Sequence, residues 1–309
     1  MNKLLAATAL AASLAAPAFA QPTRPASPPA SNPPAAGMPN SQTPTGQASS
    51  SKAPSNWITV ASVENLVGRK LRDPQGRNAG EIHSVMVDVQ SGTAVYAVVE
   101  SDGDFSLDGK YIAVPFSSLT LARSGDLMNV AVPIDKLSKA KRFGEDQIDD
   151  MTKPQEVASL YTYYAVPQPA GASAPAGTGG NLLMVRRDTV MRMNAGRHVA
   201  GDVRGVTVNG QDGKELGEID RIMVDTSTGR IAYLLLSQGG FLGMGENWVP
   251  VPAQALSWDG NANVFTLKAE RANATQQAPL AKGDVPVQVR RTQLQSLYER
   301  FGVTPYWQG

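Results

Sequence analysis

A framework of glycines, turns and apolar positions occurs twice in this chain at a constant offset, from Gly68 to Leu119 and again from Gly205 to Leu256. Gly76, Gly80, Glu81, Ile82, Met86, Val87, Asp88, Gly92, Tyr96, Val114 and Pro115 of the first copy meet Gly213, Gly217, Glu218, Ile219, Met223, Val224, Asp225, Gly229, Tyr233, Val251 and Pro252 of the second. A unit of this length exceeds the roughly 20–50 residue period of solenoid repeats. Each copy carries its own apolar positions and turns, so the repeat predicts a duplicated domain in which each copy buries a core.

Within a copy, short apolar runs alternate with turn chemistry, the signature of antiparallel strands. In the second copy Val203–Val208, Glu218–Asp225 and Ile231–Ser237 are the runs, separated by turns at 209–213 and 226–229. Gly76, Gly92, Gly213 and Gly229 supply the backbone freedom these hairpin turns need. Asp88 and Asp225 end a strand and open the turn, where an aspartate caps backbone N–H groups. On the second strand of each copy the alternation slips phase, at His83-Ser84 and at Asp220-Arg221. Keeping apolar groups on one face across such a slip takes an extra residue, so a β-bulge is predicted at both places. Each copy then ends in an amphipathic helix, with Val157, Leu160, Tyr161 and Tyr164 in one stripe and Leu294, Leu297, Tyr298 and Phe301 in the other. Thr292 with Gln295 reads as a capping box and Gly302 as a stop.

The ends of the copies have a different composition. Lys3, an alanine- and leucine-rich run and Ala18-Phe19-Ala20 follow the order of a secretory signal peptide, which predicts residues 1–20 as a signal cleaved after Ala20 and a periplasmic protein. Residues 21–56 are rich in Pro, Ala and Ser and predict a disordered tether; 167–181 read as a flexible linker. The first domain is then 57–166 and the second 182–309. The chain has no cysteine, so thiol nucleophiles, thiol ligands and disulfides are absent. Its 28 basic and 27 acidic side chains nearly cancel, which offers no long-range attraction for nucleic acid.

Gly-Glu-Ile, Val-Asp, a Ser/Thr-Gly turn, an apolar strand and then Gly239-Gly240-Phe241-Leu242-Gly243-Met244-Gly245-Glu246 before Trp-Val-Pro-Val-Pro resembles the PRC-barrel family. The resemblance covers most of both copies and neither linker. The first copy departs from it at 102–110, where Asp102, Asp104 and Asp108 make an acidic loop. The resemblance implies an all-β chain: two tandem small antiparallel β-barrels of PRC-barrel type, each followed by a short amphipathic helix. It also implies a protein-binding or assembly module without shared catalytic residues.

Candidate chemistry is sparse. Glu81 with Asp88, and Glu218 with Asp225, recur at equal spacing and invite an acid/base reading, against which turn capping is the simpler account. The acidic loop at Asp102, Asp104 and Asp108 lacks the glycine and glutamate of a helix-flanked calcium loop. His83 and His198 have no second ligand at zinc spacing. No catalytic residue, metal site or cofactor is therefore assigned. The partner-binding candidates are Phe241, Leu242 and Met244, large apolar groups between glycines, together with Trp248; Trp258, Tyr306 and Trp307 are further aromatic candidates. The expected partner is a protein, engaged bivalently by two barrels on a flexible linker. Two alternatives stay open: an envelope hydrolase with a site between the copies, and attachment to membrane or wall polymer. The latter would use the basic clusters at Lys136, Lys139, Lys141 and Arg142 and at Arg186, Arg187, Arg192 and Arg197.

Overall fold

The computed structural model describes residues 56–101, 105–122, 127–169, 182–186, 203–238, 247–270, 274, 280–281 and 287–308. Two stretches open the described chain, β1 (Trp57–Ser62) and the single turn α1 (Val63–Leu66). The first copy continues with β2 (Lys70–Arg72), β3 (Asn78–Asp88), β4 (Thr93–Glu100), β5 (Tyr111–Pro115), β6 (Leu119–Leu121), β7 (Leu127–Val130), α2 (Ile134–Leu137), β8 (Arg142–Phe143) and α3 (Pro154–Tyr164). After the linker come β9 (Leu182–Arg186), β10 (Thr207–Asn209), β11 (Glu215–Asp225), β12 (Ile231–Gln238), β13 (Asn247–Val251), β14 (Leu256–Asp259), β15 (Val264–Leu267), β16 (Leu280–Ala281), β17 (Gln288–Arg290) and α4 (Arg291–Arg300). The chain is mostly β, as the duplicated strand-and-turn pattern predicts.

The strands form two sheets of matching order. The first runs β6-β7-β2-β3-β4-β5-β8 and the second β14-β15-β10-β11-β12-β13-β16. The long strands β3 and β11 are the hinges of each sheet. Their register with β4 and β12 shifts between Ile82 and Ser84 and between Ile219 and Arg221, so His83 and Asp220 are the extra residues. The slip in apolar phase thus marks a real bulge, and it bends each strand so that its two halves face different neighbours. A second shift follows at Met86/Val87 and Met223/Val224, where the apolar run is continuous and gives no sequence sign.

The half beyond the bulge is completed from the other copy. β1 opens the first copy in sequence, yet it pairs antiparallel with β11, with Val60, Ala61 and Ser62 opposite Asp225, Val224 and Met223. β9 follows the linker, yet it pairs with β3 over Ser84–Asp88. The two strands are exchanged, an arrangement that the reading of two self-contained barrels does not anticipate. The reason is physical: the strand halves after the two bulges carry equivalent patterns, Val85-x-Val87 and Ile222-x-Val224, and either can accept either incoming strand. On its far side β1 also carries β17, with Trp57–Thr59 opposite Arg290–Gln288.

The hairpin tips lock the copies a second time. Ala94 N–H donates to Gly229 O and Ile231 N–H to Gly92 O, both at 2.8 Å, in a pattern that the repeat makes reciprocal. Gly92 and Gly229 have φ of +65° and +70°, and a Cβ on either would meet the other copy, Gln254 Nε2 at 3.0 Å or Phe116 Cδ1 at 3.1 Å. The larger apolar core runs through both sheets, from Val85, Val99 and Phe143 to Ile219, Leu234 and Phe265.

Both helices lie over their own sheets. In α3 the stripe Val157, Leu160, Tyr161 and Tyr164 is buried, and Tyr161 Oη donates to Val95 O at 2.5 Å. In α4 Leu294 and Tyr298 are buried, Phe301 closes the end, and Tyr298 Oη donates to Ala232 O at 2.9 Å, the repeat-equivalent bond. The helix starts earlier than its sequence suggests: Arg290 is the N-cap, and the Gln293 side chain accepts its N–H at 3.1 Å, so Thr292 and Gln295 are already inside. Gly302, at φ +65°, follows as the stop.

A fragment starting at Leu182 lacks β1 and α1, and with them the buried Ile58, Val60, Val63 and Leu66. At about 1.5–3 kcal/mol for each buried apolar side chain, the loss is of order 10 kcal/mol, comparable to the whole stability of an ordinary domain. The fragment is expected to show no cooperative thermal transition by circular dichroism, and the peptide 56–68 added in trans to restore one. A sharp transition without the peptide would contradict the exchange.

Candidate functional site

The repeated aspartates are turn formers with added duties. Asp88 Oδ1 accepts the N–H groups of Gln90 and Ser91 at 3.0 and 3.1 Å, and Asp225 Oδ1 accepts the Ser227 N–H at 2.9 Å and the Ser227 hydroxyl at 2.6 Å. Burial pushes the Asp88 carboxyl up, against the pull of its Ser91 and Gln90 bonds and of the Arg230 charge. Asp225 Oδ2 accepts the Tyr306 hydroxyl at 2.8 Å, which pins the C-terminal tail to the tip of β11. Burial and the Asp225 charge push the Tyr306 hydroxyl far up. Gly76 and Gly213 sit in their turns at φ +77° and +73° with open space around them. Glu81 and Asp88 are seven positions apart on one strand, about 20 Å, as are Glu218 and Asp225. The strand geometry separates each pair too far to share a proton.

The other sequence candidates are scattered. His83 is the bulge residue, its ring 4.5 Å from that of Tyr111 and its nitrogens 3.7 Å from Glu100 and Glu145. Burial and the Glu145 carboxylate push the Tyr111 hydroxyl up to about 12. Asp108 is paired with Arg142 at 3.3 Å, and Lys141 with Glu156 at 2.6 Å. Lys136 stands 5.5 Å over the Tyr163 ring, and Arg186 lies 3.6 Å from Glu145. These members of the basic clusters are held by their own surroundings. Trp258 stacks on Phe265 at 4.7 Å, and Trp307 packs edge-on against Tyr306 at 4.8 Å. Phe241, Leu242, Met244, His198, Asp102, Asp104, Arg187, Arg192 and Arg197 lie outside the described residues. Among the described residues no three metal-ligating side chains cluster, and no helix is long and apolar enough to cross a membrane.

Trp248 has a different place from an exposed tip. It is 2% exposed, at the wall of a cleft of about 850 Å³ where the copies meet. The exchanged strand β1 supplies Thr59–Ser62 to this cleft, β6 supplies Thr120 and Leu121, and β11 supplies Arg221 and Met223. Val60 and Trp248 belong to a second apolar cluster with Met223, Leu235, Val289, Leu294, Tyr298 and Tyr306. In that cluster the exchanged strand, α4 and the C-terminal tail cover the outer face of the second sheet. Arg69 and Arg221 are the ionisable side chains that line the cleft among the described residues. Arg69 Nε donates to Asn65 O at 2.7 Å, and the Arg221 guanidinium lies 5.7 Å from the Trp248 ring centre.

Behind the cleft sits a carboxyl that sequence reasoning missed. Glu64, in α1, is 2% exposed; its Oε1 accepts Ile222 N–H at 3.2 Å and its Oε2 a bond from Ser62 Oγ. It takes the place of a strand carbonyl where β1 leaves β11, joining the first copy to the bulge of the second. Burial pushes its carboxyl above the usual range, opposed by the Ser62 bond and by the charges of Arg204 and Arg221. Arg204 is itself buried, with Nε donating to Asp220 O at 3.0 Å. The only sequence sign was a charged residue in the apolar Val63–Leu66 segment, which does not reveal a partner so distant in the chain.

With this geometry in view, the sequence model of the PRC-barrel domain family matches residues 59–140 and 198–271, about half of the chain and parts of both copies. The chain belongs to the PRC-barrel domain family, in two tandem copies. A comparison with curated proteins gave no match.

Because the folded pKa of Glu64 is raised, the stability it allows is complete below its unfolded pKa and is lost as pH rises through the folded value. Thermal melts between pH 4.5 and 7.5 should therefore show Glu64→Gln gaining on the wild type as pH rises, since the amide keeps the Ile222 bond without a buried charge. A difference that is constant across this range would contradict the assignment.

Proposed function

We propose that the chain is an exported, non-catalytic binding or scaffolding module whose two curled sheets act as paired PRC-barrels on a protein partner in the periplasm. The observation that carries this reading is the strand exchange. It fixes two copies in one body and creates a cleft that neither copy has alone, lined by two arginines and by no acid or histidine among the described residues. Such a lining, two cations on a largely apolar wall, is suited to recognising a ligand. Family membership supports the same reading, since PRC-barrel domains are in general non-catalytic.

The exchange also changes the form of bivalence. Copies on a free linker raise each other's effective concentration; copies locked by β1, β9 and the Gly92 and Gly229 tips present two surfaces at one fixed spacing. Export rests on the signal-like order of charge, apolar run and small residues at 1–20. Phe241, Leu242 and Met244 stand in sequence just before β13, which carries Trp248.

Crosslinking and pull-down from a periplasmic fraction test the reading. The wild type is expected to capture one defined protein, and Phe241→Ser with Leu242→Ser to reduce the capture at least tenfold while the melting temperature is retained. Retention of the whole protein in the cytoplasm, or capture unaffected by both substitutions, would overturn it.

A further inference from the structure

Around the inter-copy cleft three buried hydrogen-bond donors make no hydrogen bond, one of them while held in an ion pair. Arg69 Nη1, Arg221 Nε and the Trp248 indole N–H are each shielded from solvent and make no hydrogen bond. Arg221 Nε lies 3.3 Å from Asp220 Oδ2, in a geometry that forms no hydrogen bond, and that carboxylate does not line the cleft. Buried polar groups are nearly always paired in folded proteins and an orphaned donor is costly, so Arg69 Nη1 and the Trp248 N–H, which have no acceptor, and Arg221, whose Nε has only its ion pair with Asp220, favour an added acceptor beside them. The remaining wall is apolar at Val60, Leu121, Met223 and Val287. Val287, at the rim, is 67% exposed. The volume, about 850 Å³, is that of a small-molecule or short-peptide site.

We propose that this cleft binds a carboxylate carried on an apolar body, with Arg69 and Arg221 at the carboxylate and Val60, Leu121 and Met223 along the body. Guanidinium groups are matched to carboxylates by their planar fork of donors and stay charged at any physiological pH. Among the described residues the lining holds two cations and no acid, the Asp220 carboxylate lying behind Arg221, and this favours an anion over a neutral or cationic ligand of the same shape. The inference is independent of the module reading: the cleft can take such a ligand whether or not a protein partner docks beside it.

Two sources offer this chemistry, a free amphiphilic acid and the C-terminus of a peptide ending in apolar residues. Calorimetric titration of the full chain uses decanoate below its micelle concentration and acetyl-Ala-Leu-Leu with a free C-terminus, with decanol and the amidated peptide as uncharged controls. Saturable one-to-one binding of at least one acid, at least tenfold tighter than its control, is expected; which acid binds identifies the source. Arg69→Gln and Arg221→Gln should each weaken binding about tenfold. Should Arg221→Gln lose its thermal transition, Arg69→Gln decides alone. Equal binding of acids and controls, no binding of either acid, or full affinity in a folded Arg69→Gln protein would overturn the proposal.

Discussion

Backbone groups at a strand edge need partners, and in this protein that requirement is met across the duplication. Each long strand is bent by one extra residue, His83 in β3 and Asp220 in β11. Before the bend its outer edge is taken by a strand of the same copy, β2 or β10. After the bend that edge is taken by β9 or β1 from the other copy. The bulge therefore does more than curl a sheet. It creates a second edge that another strand has to fill, and filling it from the opposite copy makes the two halves one cooperative body.

The remaining features follow from that choice. Once β1 crosses to β11, α1 comes with it and places Glu64 against the Ile222 amide at the point where strand pairing ends. The same crossing sets Thr59–Ser62 beside β6 of the first copy and Trp248 of the second, which opens the cleft. The hairpin tips at Gly92 and Gly229 meet on the other side with equal hydrogen bonds, so the repeat symmetry is expressed as contact between the copies. The symmetry is broken at the C-terminus. β17 covers the far side of β1, whereas the matching segment of the first copy is a 3₁₀ turn at Asp149–Thr152, whose Met151 carbonyl accepts the Tyr96 hydroxyl at 3.0 Å.

Much of this was legible in the residues because it depended on local patterns. The phase slip located both bulges, the i, i+3, i+4, i+7 stripes located the buried faces of α3 and α4, and the Asp-to-Gly turns located the hairpin tips. The exchange was not legible, since Val85-x-Val87 and Ile222-x-Val224 offer the same edge and nothing in either strand states which it takes. The cleft was hidden for the same reason: Arg69, Arg221 and Trp248 are far apart in sequence and converge only after β1 has crossed. Trp248 was singled out as a binding residue, and its neighbours in space could not be read from its neighbours in the chain. The cap of α4 shifted from Thr292 to Arg290 because β17 runs straight into the helix, which fixes its first residue.

The chain has no cysteine, so the exchange can be tested with one engineered pair at a time. Ala61 lies opposite Val224, and in a self-closing arrangement the repeat would put it opposite Val87 instead. Under mild oxidation the Ala61→Cys, Val224→Cys protein is expected to form an intramolecular disulfide in the monomer, read by non-reducing electrophoresis and peptide mass mapping, and the Ala61→Cys, Val87→Cys protein to remain reduced. Bond formation in the Val87 pair, with the Val224 pair left free, would contradict the exchange of strands on which the fold, the cleft and the proposed function all rest.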